Sequence, residues 1–493
     1  MGNARISDVT PVKSRGEYVV ALKNKNGVGK SPAAGKKYHF IGAGGVGMSG
    51  LAALLLKEKA IVSGSDMQSS AIVDKLGNGG ADIKIGHSPE NVPKNADAVV
   101  ISAAIRHDNP ELIKARDNKV MVYKYAQMLG LIMDRYDGIA VAGTHGKSTV
   151  SGWLVYTIKQ MGLDPNFIIG ADISKLKASC GIGSDSYFVA EACEYDRSFL
   201  NFHPRVGVIL NIEADHLDYY ADENEIIEAF SAFAGGIRPG GVLVAGTRDK
   251  NVAKVVASLR GDKEILSFGI GDGFDLSAEN IDYEKDITGF DVYFKGNSLG
   301  RAQIKLLGEH NVMNALAVLA AGIAAGIDAA EMITKLGDFS GMDRRMAEKG
   351  RFNGIVVLDD YGHHPTEIKA SLQAVRQKYD ETRLICVFQP HQYSRTRFLL
   401  KDFAESFSHA DLTIVPEIYF VRDTALSKQE INAEKLVEKI NSNGSNAIFA
   451  DSFERICEFL KSNVKSGDVV ITIGAGDIWK VADEYIQWLE RNS

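Results

Sequence analysis

The feature that most constrains this chain is a short apolar run that leads directly into a glycine-bearing turn. Residues 139–142 predict a buried strand, 143–148 a tight turn, and 151–161 a helix. Backbone N–H groups and the helix dipole favour an anion at such a helix start. Lys147 is expected to reach the β- and γ-phosphates of a nucleotide, and the Ser148 hydroxyl to hold Mg²⁺. The segment therefore predicts a phosphate-binding loop.

A second glycine loop lies near the start of the chain, between a predicted strand at 38–41 and a predicted helix at 48–59. It follows the pattern G-x-G-x-x-G, and Asp66 ends the next strand about 20 residues on. The pattern predicts a diphosphate at a helix start, without deciding between a dinucleotide and another nucleotide. His87 and Ser102 fall at later strand ends, where ligands of parallel sheets bind, although loop capping explains them equally well. The glycines of the loop are Gly42, Gly44, Gly45 and Gly47.

Two further strand ends near the phosphate loop carry metal-binding side chains. Glu191 follows an apolar strand at 187–190, and His216 lies shortly after the strand at 205–210. A carboxylate and an imidazole beside a phosphate loop suit a hard cation that also keeps phosphate oxygens and waters as ligands. The alternatives are a helix-capping carboxylate for Glu191 and a structural histidine for His216.

Length and composition are those of an ordinary globular protein of several domains. The 493 residues suggest about three domains, and strands that alternate with helices indicate parallel α/β sheets. We predict a disordered basic tail at 1–35 and domains at 36–129, 130–338 and 339–493, with an extra β region at 240–305. The net charge of −7 argues against nucleic acid as the ligand. The four scattered cysteines indicate reduced thiols, and no apolar run approaches the ~20 residues that span a membrane.

Polar residues also follow two strands of the third predicted domain. One strand ends in two carboxylates and is followed by the adjacent pair His363 and His364. A metal site at this pair is disfavoured, because adjacent side chains point in different directions and no third ligand is spaced nearby. After the next strand, Arg395 and Arg397 lie close to His391. Guanidinium groups bind carboxylates in bidentate fashion, so this second group predicts a carboxylate-binding site.

Four motifs together make the chain resemble the Mur ligases, from about Lys36 to the C-terminus. They are Gly-Thr-His-Gly-Lys-Ser at 143–148, Asn-Ile-Glu-Ala-Asp-His at 211–216, Asp-Asp-Tyr-Gly-His-His-Pro-Thr-Glu at 359–367 and Phe-Gln-Pro-His at 388–391. The resemblance implies three α/β domains, each on a largely parallel sheet. These are an N-terminal Rossmann-like UDP-binding domain, a central P-loop ATPase with the extra β region, and a C-terminal Rossmann-like domain for the amino acid.

The resemblance also implies an activity. ATP would drive the ligation of L-alanine to the lactyl carboxylate of UDP-N-acetylmuramic acid through an acyl phosphate, with release of ADP and phosphate, in the synthesis of peptidoglycan precursors. It implies Mg²⁺, with two ions expected and Mn²⁺ able to replace them, small-molecule partners only, no membrane span and a cytoplasmic location. Oligomeric state stays open.

Residue roles follow from the same resemblance, position by position. The expected ATP-binding residues are Gly143, Thr144, His145, Gly146, Lys147, Ser148, Thr149, His310, Asn311, Asn314, Arg345 and Asp360. The expected metal ligands are Ser148, Glu191 and His216. The expected UDP-sugar residues are Gly42, Gly44, Gly45, Gly47, Asp66, His87 and Ser102. Those expected around the amino acid are Tyr361, His363, His391 and Arg395. Catalytic roles are implied for Lys147, Glu191, His216, His363 and Arg345, with His363 as a candidate proton acceptor.

The chain departs from the common family pattern at several positions. Cys193 stands where an aspartate is common, and Gln392 where many relatives have arginine, so the alanine carboxylate is expected to rest mainly on Arg395. Residues 217–235 contain no lysine, which predicts that no carbamylated lysine serves the second metal.

Three alternative functions stay open at this point. A murein tripeptide ligase would use the same sugar nucleotide. An NAD-dependent oxidoreductase would rest on the first glycine loop alone. The third alternative is a non-catalytic nucleotide-binding regulator. The near-complete set of catalytic residue types argues against it.

Overall fold

Three β-sheets, each covered by helices, organise the chain in the computed structural model, which describes residues 33–259, 263–421, 423 and 427–492. The prediction of a three-domain α/β protein with largely parallel sheets is confirmed. Of the predicted basic tail, residues 1–32 lie outside the described residues. Among the helices that the structure describes, none is both long enough and apolar enough to cross a membrane.

The first sheet has five parallel strands in the order β3-β2-β1-β4-β5. The loop after β1 lies between the ends of β2 and β4, because Ile41 is in register with both Ser65 and Ile101. The elements are β1 (Lys37–Ile41), α1 (Val46–Lys57), β2 (Ile61–Asp66), α2 (Ala71–Asn78), β3 (Asp82–Ile85), β4 (Ala98–Ile101), α3 (Pro110–Asp117), β5 (Met121–Lys124) and α4 (Tyr125–Met133). Helix α4 runs across the predicted domain limit at 129/130, and that limit stays a prediction, as does the one at 338/339.

A buried carboxylate that the sequence did not single out joins the parts of this domain. Glu111 of α3 is fully buried. It accepts hydrogen bonds from Nε2 of His39 at 2.9 Å and from Oγ of Ser65 at 2.7 Å. It also accepts from Nδ2 of Asn91 at 2.9 Å and from the backbone N–H of Ser88 at 3.1 Å. Burial alone would raise the pKa of Glu111, but these donors outweigh burial and lower it to about 2.

We expect Glu111→Gln to lower the free energy of unfolding of this domain by about 3 kcal/mol at neutral pH. This is the free energy that corresponds to lowering the pKa of Glu111 from 4.5 to about 2 on folding. Because the folded-state pKa is depressed, this stability is present above pH 4.5 and is lost as the pH falls towards 2. Denaturant unfolding at pH 7 and at successively lower pH measures both effects. The exposed Asp117 of the same helix is the control, since Asp117→Asn should change stability by less than about 0.5 kcal/mol. Equal stability of Glu111→Gln and the parent chain would contradict the prediction.

The second sheet has ten strands, in the order β15-β14-β13-β12-β11-β10-β6-β9-β7-β8. Its parallel centre sets the ends of β6, β9 and β10 side by side, and the predicted extra β region extends one edge through the antiparallel strands β13 to β15. The elements are β6 (Asp137–Ala142), α5 (Lys147–Gln160), β7 (Asn166–Ile173), β8 (Ala178–Gly181), β9 (Tyr187–Glu191), β10 (Val206–Ile209), α6 (Glu223–Gly235), β11 (Val242–Ala245), α7 (Lys250–Ser258), β12 (Glu264–Ile270), β13 (Leu276–Tyr283), β14 (Thr288–Phe294), β15 (Asn297–Ile304), α8 (Glu309–Ala325) and α9 (Ala329–Leu336).

Both helices that follow the glycine loops begin earlier than predicted. The predicted start of α5 at residue 151 is wrong, because α5 begins at Lys147 directly after Gly146, whose φ of 82° closes the turn. Lys147 and Ser148 therefore lie in the first turn of the helix, where N–H groups are free for an anion. Helix α1 begins at Val46 rather than at residue 48. Gly47 thus lies inside α1, where an added Cβ would come within 2.7 Å of the Tyr125 ring.

The third sheet has six strands in the order β16-β17-β21-β18-β19-β20, parallel except for the β16–β17 pair. Asp360 and Phe388 are both in register with Ile473, so the loops that follow these three strands meet at one edge. The elements are β16 (Ala347–Phe352), β17 (Ile355–Asp360), α10 (Pro365–Lys378), β18 (Leu384–Phe388), α11 (Tyr393–Phe398), α12 (Leu400–Ala404), β19 (Leu412–Val415), α13 (Ser427–Glu430), α14 (Ala433–Ser442), β20 (Ala447–Phe449), α15 (Phe453–Asn463), β21 (Val469–Ile473) and α16 (Trp479–Arg491).

Candidate active site

The phosphate loop between β6 and α5 holds its lysine in place through oxygen atoms. Nζ of Lys147 donates to the carbonyl of Thr144 at 3.0 Å and lies 2.9 Å from Oε2 of Glu194. Both side chains are largely buried. Burial alone would lower the pKa of Lys147, but the charge of Glu194 outweighs burial and raises it. The lysine is therefore a fixed cation at the start of α5.

The predicted metal ligands Ser148 and Glu191 lie together beside this cation. Oγ of Ser148 donates to Oε2 of Glu191 at 2.8 Å, and the backbone N–H of Gly170 donates to the same oxygen at 2.9 Å. His216 approaches from the other side, with Nε2 at 3.7 Å from Oε1 of Glu194. Ser148, Glu191, Glu194 and His216 line one cavity, and the hydroxyl and the two carboxylates supply oxygen ligands of the kind that Mg²⁺ prefers.

Glu194 is a site residue that sequence reasoning missed. It is 3% exposed and lies between Lys147 and His216. The sequence does carry a signal for it: Glu194 lies three residues after Glu191, in the same short segment as Cys193. The neighbouring Cys193 is exposed and does not replace an aspartate as an anion, because an ordinary thiol with a pKa of about 8.5 stays protonated at neutral pH.

A cavity of about 530 Å³ lies between the second and third domains, next to the phosphate loop. This volume is typical of small-molecule sites. Asn314 Nδ2 donates to Oδ1 of Asn311 at 3.0 Å, and burial lowers the pKa of His310 to about 4, so this imidazole is neutral at pH 7. The predicted ATP-binding residues that line the cavity are His145, Gly146, Thr149, His310, Asn311, Asn314, Arg345 and Asp360.

A second cavity, of about 610 Å³, receives side chains from all three domains. It shares Gly146, Arg345 and Glu367 with the first cavity, so the two meet at the phosphate loop. Its lining includes Val46 from the first domain, Lys147, Ser148, Glu191 and His216 from the second, and Tyr361, His363, His391 and Arg395 from the third. The structure thus brings the predicted metal and amino-acid residues to one chamber.

Aromatic rings and one arginine form the wall that the third domain contributes. The ring centroid of His363 lies 5.6 Å from that of Tyr361 and 6.1 Å from that of His391. Tyr419, which the sequence did not single out, stacks on His391 with centroids 5.4 Å apart. Burial, helped by Arg395, outweighs Glu367 and lowers the pKa of His363 to about 4, so this imidazole is neutral and weakly basic at pH 7.

Arg395 already has a carboxylate partner in the neighbouring domain. Its Nε and Nη2 donate to Oδ1 of Asp215 at 3.0 and 2.8 Å, and both side chains are almost fully buried. The third nitrogen, Nη1, donates to the carbonyl of His391 at 3.4 Å and lies 3.3 Å from Nδ1 of the same residue. All three nitrogens of the guanidinium therefore have protein partners, and an amino-acid carboxylate would have to share these N–H groups or replace a partner.

The predicted sugar-nucleotide residues lie around the first glycine loop. Oδ2 of Asp66 accepts a hydrogen bond from the backbone N–H of Gly44 at 2.8 Å, so this carboxylate supports the loop. Gly42 lies against Ser102, since a Cβ on Gly42 would lie 2.8 Å from the serine Oγ. Nδ1 of His87 is 3.0 Å from Oγ of Ser65, next to Asp66.

Three family models match the chain one after another and together cover most of it. The Mur ligase family catalytic domain matches residues 37–137, the Mur ligase middle domain 141–322, and the Mur ligase glutamate ligase domain 344–476. The chain belongs to the Mur ligase family. The resemblance found in the four motifs is thereby confirmed.

Curated relatives of this Mur ligase match it over nearly its whole length. A UDP-N-acetylmuramate–L-alanine ligase of Clostridium tetani is 43% identical over 92% of this chain and 98% of its own. The enzyme of that name from Caldanaerobacter subterraneus is 41% identical over 92% of this chain and 97% of its own.

Solved structures give the same family. The Mur ligase chain superimposes on a UDP-N-acetylmuramate-alanine ligase from Thermotoga maritima with a TM-score of 0.75 and 25% identity, covering 93% of this chain and 100% of that one. A murein peptide ligase from Psychrobacter arcticus gives a TM-score of 0.65 and 25% identity, covering 92% of this chain and 99% of that one.

Proposed function

We propose that this Mur ligase joins L-alanine to the lactyl carboxylate of UDP-N-acetylmuramic acid, with conversion of ATP to ADP and phosphate. The observation that carries the proposal is the meeting of two cavities at the phosphate loop. One is sized for a nucleotide, and the other combines a lysine, two carboxylates and several imidazoles from separate domains. The names of relatives at 41–43% identity over nearly the whole chain support the choice of L-alanine and of the muramic acid nucleotide.

The first chemical step overcomes charge repulsion between two anions. A carboxylate is a poor electrophile, so the γ-phosphoryl group of ATP is transferred to the lactyl carboxylate to give an acyl phosphate. Lys147, fixed at the start of α5, offsets charge that develops on the phosphoryl oxygens. Mg²⁺, which Ser148, Glu191, Glu194 and His216 would hold, supplies further charge neutralisation when bound. Arg345 lies where the two cavities meet and serves the same phosphates from the third domain.

The second step is attack on the acyl phosphate by the neutral amine of alanine, with phosphate as the leaving group. Tyr361, His391 and Arg395 line the shared chamber and surround the amino acid there. His363 is the candidate proton acceptor. Its neutral state at pH 7 leaves it free to accept a proton, but a pKa of about 4 makes it a weak base. The loop from Gly42 to Gly47 holds the diphosphate of the sugar nucleotide at the start of α1.

A substrate panel tests the proposal directly. With ATP and UDP-N-acetylmuramic acid present, we expect phosphate release to require L-alanine, with kcat/KM at least about 100-fold above that for the murein tripeptide. Glycine and L-serine in the same panel measure the selectivity of the amino-acid pocket. Phosphate release with the tripeptide alone would support the murein peptide ligase instead, and release with none of these acceptors would refute the ligase function.

Other parts of the prediction stay untested. They are the cytoplasmic location, the second magnesium ion, the replacement of Mg²⁺ by Mn²⁺, the absence of a carbamylated lysine and any oligomer. An NADH fluorescence titration without response would exclude the oxidoreductase alternative. In a dinucleotide-binding loop of this pattern the acidic residue would bind the ribose. Here that residue, Asp66, accepts a hydrogen bond from the backbone N–H of Gly44 in the loop itself.

A further inference from the structure

Three side chains from separate loops come together where the second and third domains meet. They are His145 of the phosphate loop, Glu213 of the loop after β10, and His364, the residue that caps the start of α10. One ligand atom of each lies within 4.8 Å of the others, and the described residues contain no other such group of three or more His, Cys, Asp or Glu side chains. Nε2 of His145 and Nδ1 of His364 each lie 3.5 Å from Oε2 of Glu213.

The outer nitrogen of each imidazole faces an acceptor. Nδ1 of His145 lies 3.2 Å from Oε1 of Glu367, and Nε2 of His364 lies 3.4 Å from the carbonyl of Ala214. Histidines that bind metals commonly donate their second N–H to a carboxylate or a backbone carbonyl in this way. An ion beside Glu213 would displace the proton on Nε2 of His145. It would also replace the long hydrogen bond, 3.4 Å, that Nδ1 of His364 accepts from the backbone N–H of Thr366. Both inner nitrogens would then present lone pairs to the ion.

One of these inner nitrogens has only a long ion-pair contact among the described residues. Nε2 of His145 is shielded from solvent, makes no hydrogen bond there, and has Oε2 of Glu213 at 3.5 Å as its neighbour. A buried polar atom without a partner is costly, so a ligand at this point would remove a penalty. Glu213 is oriented by a 2.6 Å hydrogen bond from Oγ1 of Thr366 and is one-third exposed, which leaves an approach from solvent.

The donor set and its spacing select the class of ligand. Tetrahedral Zn²⁺ with bonds of about 2.0–2.1 Å separates its ligand atoms by about 3.3 Å, close to the spacing around Glu213. Two imidazoles and a carboxylate suit Zn²⁺, with water in the fourth position, whereas Mg²⁺ prefers a set made up mainly of oxygen ligands. The charges that face the group are those of Glu367 and of Arg345, whose Nη1 lies 3.8 Å from Glu367.

We propose that His145, Glu213 and His364 form a binding site for a transition-metal ion of the Zn²⁺ class, distinct from the magnesium site at Ser148 and Glu191. His145 and Glu213 belong to the second domain and His364 to the third, so the bound ion holds the two domains together at the phosphate loop. A domain pair held in this way exchanges nucleotide slowly, so the ion inhibits turnover. This last consequence rests on the proposed function, but the binding itself does not.

The binding test uses the full chain in excess Mg²⁺, with Zn²⁺ titrated by calorimetry and Co²⁺ followed by its visible d–d absorption. We expect one tight site per chain and a tetrahedral Co²⁺ spectrum. His364→Asn, which keeps a good helix-capping side chain, should weaken Kd at least about 100-fold, and Glu367→Gln about 10- to 100-fold. The exposed His107 provides the matched control, since His107→Asn should bind as the parent does.

Unchanged tight binding by His364→Asn, or no tight site in the parent chain, would overturn the proposal. If His364→Asn is poorly folded by circular dichroism, Glu213→Gln replaces it with the same expected loss. In phosphate-release assays, Zn²⁺ should inhibit the parent chain, and His364→Asn should resist inhibition by the factor seen in Kd. Metal binding without phosphate release on any substrate would refute the proposed ligase function and leave the metal site standing.

Discussion

Replacing Lys147 with alanine is expected to reduce ADP and phosphate release by about three orders of magnitude or more, since it removes the fixed cation that faces the phosphoryl group in transfer. In the structure this ammonium is held by Thr144 and Glu194 at the first turn of α5. Binding of UDP-N-acetylmuramic acid should change by less than about threefold, because the first glycine loop belongs to another sheet.

The two halves of this prediction are measured separately, by coupled ADP release and by calorimetric titration of the sugar nucleotide. Lys159→Ala is the matched control, since Lys159 lies in the last turn of the same helix and pairs with Asp164 at 2.7 Å. It should retain full activity. Substantial turnover by Lys147→Ala would refute the assignment of the phosphate loop, and loss of sugar-nucleotide binding would point to misfolding.

The second large effect is expected from the buried pair that joins the second and third domains. Removing one member of a buried ion pair costs about 3–5 kcal/mol, because the remaining charge is left unpaired. Asp215→Asn should therefore lower the free energy of unfolding by about that amount. Because Asp215 positions Arg395 in the amino-acid chamber, it should also lower kcat/KM for L-alanine by about 10²-fold or more. Burial alone would raise the pKa of Asp215, but Arg395 outweighs burial and holds it well below its usual range, so the pair stays charged across neutral pH.

A double-mutant cycle separates positioning from binding. Asp215→Leu with Arg395→Met removes both charges, and should restore stability without restoring the KM for L-alanine. Asp218→Asn, an exposed change three residues away, is the control and should leave kcat and KM unchanged. Normal kinetics of Asp215→Asn would show that the pair does not position Arg395.

Several features of the fold and site could be predicted because their signals are local. A strand, a glycine turn and a helix occupy adjacent residues, so the phosphate loop at 143–148 is legible as a pattern of neighbours. The sequence also predicts where β9 and β10 end. Because parallel strands end at one edge of the sheet, Glu191 at the end of β9 lies close to Ser148 of the phosphate loop. The helix start was misjudged because Gly146 ends the turn in a left-handed conformation, which the sequence permits but does not specify.

Features that depend on domain packing could not be predicted. Arg395 was assigned to the substrate without its partner, because Asp215 is 180 residues away in the chain. The sequence disfavours a metal site at His364, because no third ligand lies nearby along the chain. In the structure, His145 and Glu213 of another domain lie beside it. Glu111 draws donors from strands and loops up to 72 residues distant.

The family, the order of three α/β domains and the position of the two glycine loops are all evident from the sequence, because each depends on residues that are neighbours along the chain. Which charges are paired, which imidazoles are neutral and which side chains share a cavity became evident from the folded arrangement of the three domains. Burial and electrostatic interaction depend on distance in space, and the contacts that set them join residues whose separation in sequence carries no signal.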